Sequence, residues 1–108
     1  MSLQQLNANH FEEIIYDNGE PCLVIFTKEN CHVCKEVVPM LKDLEPDYEG
    51  KFGFYSVDVE VDANLAQRFP LKGVPSILFF NEGRLQGKLA GNVEDEEVKE
   101  KISEVLGG

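Results

Sequence analysis

Apolar positions along this chain follow two rhythms. Ala8, Phe11, Ile14 and Ile15 recur at three and four residues behind the capping candidates Asn7 and Asn9, which predicts a helix stopped by Asp17-Asn18-Gly19. Val33, Val37, Leu41 and Leu44 predict a second helix. A short third over 62–69 starts at the capping residue Asp62 and ends before Pro70. A fourth runs from Asn92 to Leu106, with Val98, Ile102, Val105 and Leu106 expected to face inward.

The second rhythm is that of strands. Residues 22–27, "CLVIFT", form a continuous apolar run, as expected of a strand covered on both faces. Residues 52–60 are rich in aromatic and β-branched side chains. Residues 76–81 and 84–90 flank Asn81-Glu82-Gly83, a turn tight enough to make them an antiparallel hairpin. A short leading strand over 2–6 is weakly signalled. The alternation of these elements predicts an α/β fold with helices on both faces of one sheet.

At 108 residues the chain is expected to form one domain over 1–108. Its net charge of −10 argues against nucleic acid and anionic membranes as partners, because no basic surface is available to displace counterions. Much of the acid lies in 94–104, the expected wet face of the last helix. The apolar runs are too short to span a bilayer, and the opening residues carry no export signal, so a cytoplasmic location is expected. Three cysteines, an odd number, do not suit a secreted disulfide framework.

Candidate chemistry lies in residues 28–40, "KENCHVCKEVVPM". Cys31 and Cys34 stand two residues apart where a buried strand gives way to a helix. A thiolate at a helix N-terminus is stabilised by free N–H groups and the helix dipole, which makes Cys31 the expected nucleophile. Cys34 then lies one turn away, near enough to close a disulfide as the resolving thiol. The rival is half of a metal site, but the second pair of ligands is missing: Cys22 heads a strand and His10 lies on the first helix. No metal and no cofactor are expected, while a metal or cluster shared between chains stays open. Two cysteines without chemistry are the remaining alternative.

Taken together, "CLVIFTKENCHVCKEVVPML" (22–41) and "KGVPSILFF" (72–80) resemble the thioredoxin family, and the likeness extends over nearly the whole chain. The resemblance implies the thioredoxin fold, a central mixed sheet of four to five strands flanked by four helices, with Pro39 inside the second helix. It implies a cis bond before Pro75, with Pro75 against the cysteine pair and Val74 offering backbone groups to an extended substrate. It also implies a protein disulfide oxidoreductase with protein disulfide substrates and an upstream dithiol reductant such as a thioredoxin reductase. A thioredoxin-fold binding or metal/cluster-carrying protein, or a dedicated oxidant or isomerase, is the alternative. Cys22 is expected to be a buried core residue.

The chain departs from that family at its centre. Trp-Cys-Gly-Pro-Cys is replaced by Asn30-Cys31-His32-Val33-Cys34, and tryptophan is absent. The family's buried aspartate falls at Ile25 and its lysine partner at Ser56. His32 is a candidate tuning residue, since a cation beside Cys31 favours thiolate and makes the couple more oxidising.

Overall fold

The structure, a computed structural model, describes residues 3–107. Met1, Ser2 and Gly108, which belong to the expected domain, and Ser2 to the expected leading strand, lie outside the described residues. Five strands form one sheet: β1 (Gln4–Gln5), β2 (Cys22–Thr27), β3 (Gly53–Asp58), β4 (Ser76–Asn81) and β5 (Arg84–Ala90). Their order is β1-β3-β2-β4-β5; β1 and β2 run parallel to β3, and β4 runs antiparallel to β2 and β5. The helices are α1 (Ala8–Phe11), α2 (Cys34–Leu44), α3 (Ala63–Ala66) and α4 (Asp95–Val105). This is the expected α/β architecture, a five-stranded mixed sheet with four helices.

Strand alternation divides the core into two layers. Leu23, Ile25, Ile77 and Phe79 face α2 and α4, where Val37, Leu41, Leu44, Val98 and Ile102 close the layer. Cys22, Val24, Phe26, Leu78 and Phe80 face the other way, onto Phe11, Ile15 and Leu65. Both central strands are therefore buried on both faces, which is why they read as unbroken apolar runs. Each large apolar side chain so buried contributes ~1.5–3 kcal/mol.

Several boundaries differ from the periodic reading. The first helix is α-helical only through Phe11; Glu12–Asp17 is π-helical, with the Asn18 N–H donating to the Glu13 carbonyl at 2.9 Å. The smaller rotation per residue of a π turn lets the adjacent Ile14 and Ile15 both reach one apolar layer. The third helix is confined to Ala63–Ala66, after which tighter bonds from Arg68 to Leu65 and from Phe69 to Ala66 lead into Pro70. The last helix starts at Asp95 rather than Asn92; the Glu94 N–H donates to the Glu97 carboxylate at 2.9 Å, satisfying a group ahead of the first turn. Leu106, expected inward, is 46% exposed because the helix ends before it.

Candidate active site

The cysteine pair lies beyond the C-terminal end of β2, a position set by the sheet. Because β2 and β3 are parallel, both deliver their connections to the same end, and the antiparallel β4 begins there. Phe26 of β2 pairs with Ser76 of β4, so Pro75 and Val74, just before β4, stand beside the segment that carries Cys31. The residues predicted for the site are thus gathered at one end of the sheet: Cys31, His32 and Cys34 on one segment, Val74 and Pro75 on its neighbour.

Cys31 and Cys34 are joined as a disulfide, with Cα atoms 5.3 Å apart. Both are buried, Cys31 with 7% and Cys34 with 4% of its surface exposed. The helix begins at Cys34, so Cys31 lies just ahead of its first turn rather than within it. The Cys34 N–H nevertheless donates to the Cys31 sulfur at 3.1 Å. A helix leaves its first N–H groups unpaired, and here the sulfur occupies the acceptor position of a capping side chain. In the dithiol state the same donor favours the charged form of Cys31. His32 is exposed, as are Lys28, Glu29, Lys35 and Glu36, so the local charges nearly balance.

The Val74–Pro75 peptide is cis. The Ser76 hydroxyl donates to the Gly73 carbonyl at 2.7 Å, and the Gly91 N–H donates to the Pro75 carbonyl at 3.0 Å. These bonds pin the segment on both sides. Val74 itself is half-buried and makes no backbone hydrogen bond among the described residues.

Next to Val74 runs a groove of about 390 Å³ lined by Val59, Ala66, Phe69, Leu71 and Gly73. Nothing in the sequence reading pointed to it. Its walls come from the short helix α3 and the loops on either side, where no repeating period marks a face. A larger cleft of about 630 Å³ lies at the opposite end of the sheet, bordered by Glu20, Pro21, Gly53 and Tyr55. It is remote from the cysteine pair, so size alone does not mark the reactive end.

Cys22 sits at that far end, fully buried. Burial pushes its thiol up from the ordinary value, with the Glu20 carboxylate adding to the effect. It is an inert core residue as far as thiolate chemistry is concerned. Tyr55 beside it is also pushed up, first by burial and then by its hydrogen bond to Glu20. Among the described residues no group of three or more His, Cys, Asp or Glu side chains is placed to hold a metal.

The thioredoxin family model matches residues 2–104, nearly the whole chain. The chain belongs to the thioredoxin family. Its relatives include the thioredoxin of Staphylococcus haemolyticus, 29% identical over 106 residues that cover 98% of this chain and 96% of the relative. Another is the M-type chloroplastic thioredoxin of Pisum sativum, 25% identical over 104 residues that cover 96% of this chain. The chain spans 60% of the length of that pea protein and 58% of its spinach counterpart. In structure it is similar to a Malassezia sympodialis thioredoxin, with a TM-score of 0.84 at 23% identity, covering 95% of this chain and 90% of that one. A Halobacterium salinarum thioredoxin variant gives 0.83 at 18% identity, covering 94% and 88%. The chain thus combines thioredoxin-family membership with a cysteine pair at disulfide distance.

Proposed function

We propose that the protein is an oxidoreductase acting on protein disulfides through the Cys31/Cys34 couple. The observation that carries this reading is the closed pair at the start of α2, with the Cys34 N–H directed at the Cys31 sulfur. In the reductive direction the Cys31 thiolate attacks one sulfur of a substrate disulfide. A mixed disulfide forms and the first substrate sulfur leaves as a thiolate. Cys34, as thiolate, then attacks the Cys31 sulfur; the Cys31–Cys34 bond closes and the second substrate sulfur leaves. Two electrons pass to the substrate, and an external dithiol reductant of the thioredoxin reductase type restores the pair.

Val74 and Pro75 are the proposed substrate contacts. The N–H and C=O of Val74, which make no backbone hydrogen bond among the described residues, suit strand addition, in which an extended segment bonds through its main chain and many sequences are accepted. His32, exposed one residue beyond the nucleophile, is the proposed tuning residue. A cytoplasmic setting, with a reducing thiol pool, is part of the same proposal.

The test is turnover of a protein disulfide by wild type and by Cys31→Ser, with a chemical dithiol as donor. The reading expects catalysis by the wild type and loss of at least about a thousandfold without the nucleophile. Equal rates for the two proteins would overturn it.

A further inference from the structure

A resolving thiol must lose a proton before it can attack, and among the described residues no acidic or basic side chain is fully buried to take it. Cys34 is 4% exposed. Its helix neighbours Val33 and Val37 pack into the layer that contains Leu23 and Ile25 of β2, Phe54 of β3, and Ile77 and Phe79 of β4. Val98 and Ile102 of α4 complete that layer. Ile25 pairs with Ser56 on β3, so the sheet positions on this side hold a hydrocarbon and a hydroxyl. Neither is a base at neutral pH.

The only buried polar side chain other than the thiols, among the described residues, is Ser76, and its hydroxyl is committed to the Gly73 carbonyl. None of the acidic or basic groups on the surrounding elements is fully buried, among the described residues. His32, Lys35 and Glu36 are exposed. Asp58 at the end of β3 is half-buried, and its carboxylate accepts from the Glu60 and Val61 N–H groups at 2.8 and 3.3 Å. Asp95, Lys99 and Lys101 on α4 are half-buried, and its glutamates are exposed. A thiol desolvated by apolar neighbours holds its proton more tightly than a free one.

We propose that no side chain serves as base for Cys34, and that the mixed disulfide on Cys31 is therefore a long-lived intermediate cleared at a rate set by solvent pH. This rests on the oxidoreductase reading above. The proton balance is complete without a protein base: the Cys34 proton goes to water or hydroxide, and the leaving substrate thiolate recovers one from solvent. Attack proceeds from the small fraction of Cys34 present as thiolate. That fraction rises about tenfold per pH unit below the thiol's pKa. In the oxidative direction Cys34 is the leaving group at a buried position, so that step is slow as well. The arrangement suits a protein that holds its substrate covalently rather than one that turns over rapidly.

The experiment follows the two releases of thionitrobenzoate when the reduced wild type meets one equivalent of its symmetric disulfide in stopped flow. The first release reports attack by Cys31 and the second reports resolution by Cys34. The second rate is expected to rise about tenfold per unit from pH 6.5 to 8.5. Ser56→Asp and Ile25→Asp, checked for native circular dichroism, are expected to speed the second release at pH 7 at least about tenfold and to flatten its profile. A second release in the wild type that is fast and independent of pH over this range overturns the proposal, whether or not the variants fold. So does a folded Ser56→Asp with an unchanged second rate. Absence of even the first release overturns the oxidoreductase reading itself.

Discussion

At the residue scale the reactive end and the far end of the sheet use cysteine in opposite ways. Cys31 accepts an N–H bond at a helix start, whereas Cys22 is enclosed in the apolar layer of α1. His32 adds a cation near Cys31 when protonated, which favours the dithiol state. His32→Gly should therefore make the couple more reducing by about 10–20 mV, a charge effect of the size expected at an exposed site. Equilibration against glutathione measures this, and an unchanged or more oxidising variant would remove His32 from the account. Cys22 and Tyr55 give a second prediction. Folding raises both from ordinary values of 9.0 and 10.0, so the native state favours their protonated forms. Their contribution to stability is complete below those values and is lost as pH climbs above them. The melting temperature should fall between about pH 9 and 11, and fall less in Cys22→Ala/Tyr55→Phe. Parallel declines in the two proteins would contradict this.

At the element scale, the strongest periodic signals were also the most accurate. β2 and β4 occupy the expected spans because an apolar run between turn residues has few other ways to bury itself, and β5 does because the tight turn at Glu82-Gly83 folds it back onto β4. The leading strand, weakly signalled, is real: Gln4 and Gln5 pair with Tyr55 and Ser56, while the flanking Leu3 and Leu6 are buried. Two residues are too few for alternation to show. The π-helical stretch was hidden for a different reason, since Phe11 and Ile15 are spaced as an ordinary helix requires and only the added inward turn of Ile14 separates the two geometries. The hairpin turn carries a testable strain. Glu82 has φ of 54° ahead of Gly83 at 77°, and its N–H donates to the Gly19 carbonyl at 3.2 Å. Glu82→Asn should stabilise the fold by ~0.5–1 kcal/mol, because asparagine tolerates the left-handed region. Gly19→Ala should cost ~1–2 kcal/mol: Gly19 has φ of +61°, and an added Cβ would meet the Glu82 Cα at 3.3 Å. Chemical denaturation of the two variants checks both signs.

At the scale of the whole molecule, topology turns two distant segments into one site. The spacing of Cys31 and Cys34 was legible because a helix start places such residues within one turn. The approach of Pro75 was not legible from local pattern, since it depends on β4 joining β2 antiparallel with Ser76 against Phe26. Only the family resemblance of "KGVPSILFF" pointed to it. The groove along Phe69 and Leu71 escaped both routes, because loops and a four-residue helix carry no period. Among the described residues no acidic or basic side chain is fully buried, so the layer between α2, α4 and the sheet is apolar. The central claim, that Cys31 attacks and Cys34 resolves, is tested most directly by covalent trapping. Cys34→Ser expressed in cells should accumulate mixed disulfides with client proteins that dithiothreitol releases and that vanish in Cys31→Ser/Cys34→Ser. No trapped adduct from Cys34→Ser, with Cys31 shown by alkylation to be free and reactive, would contradict the account.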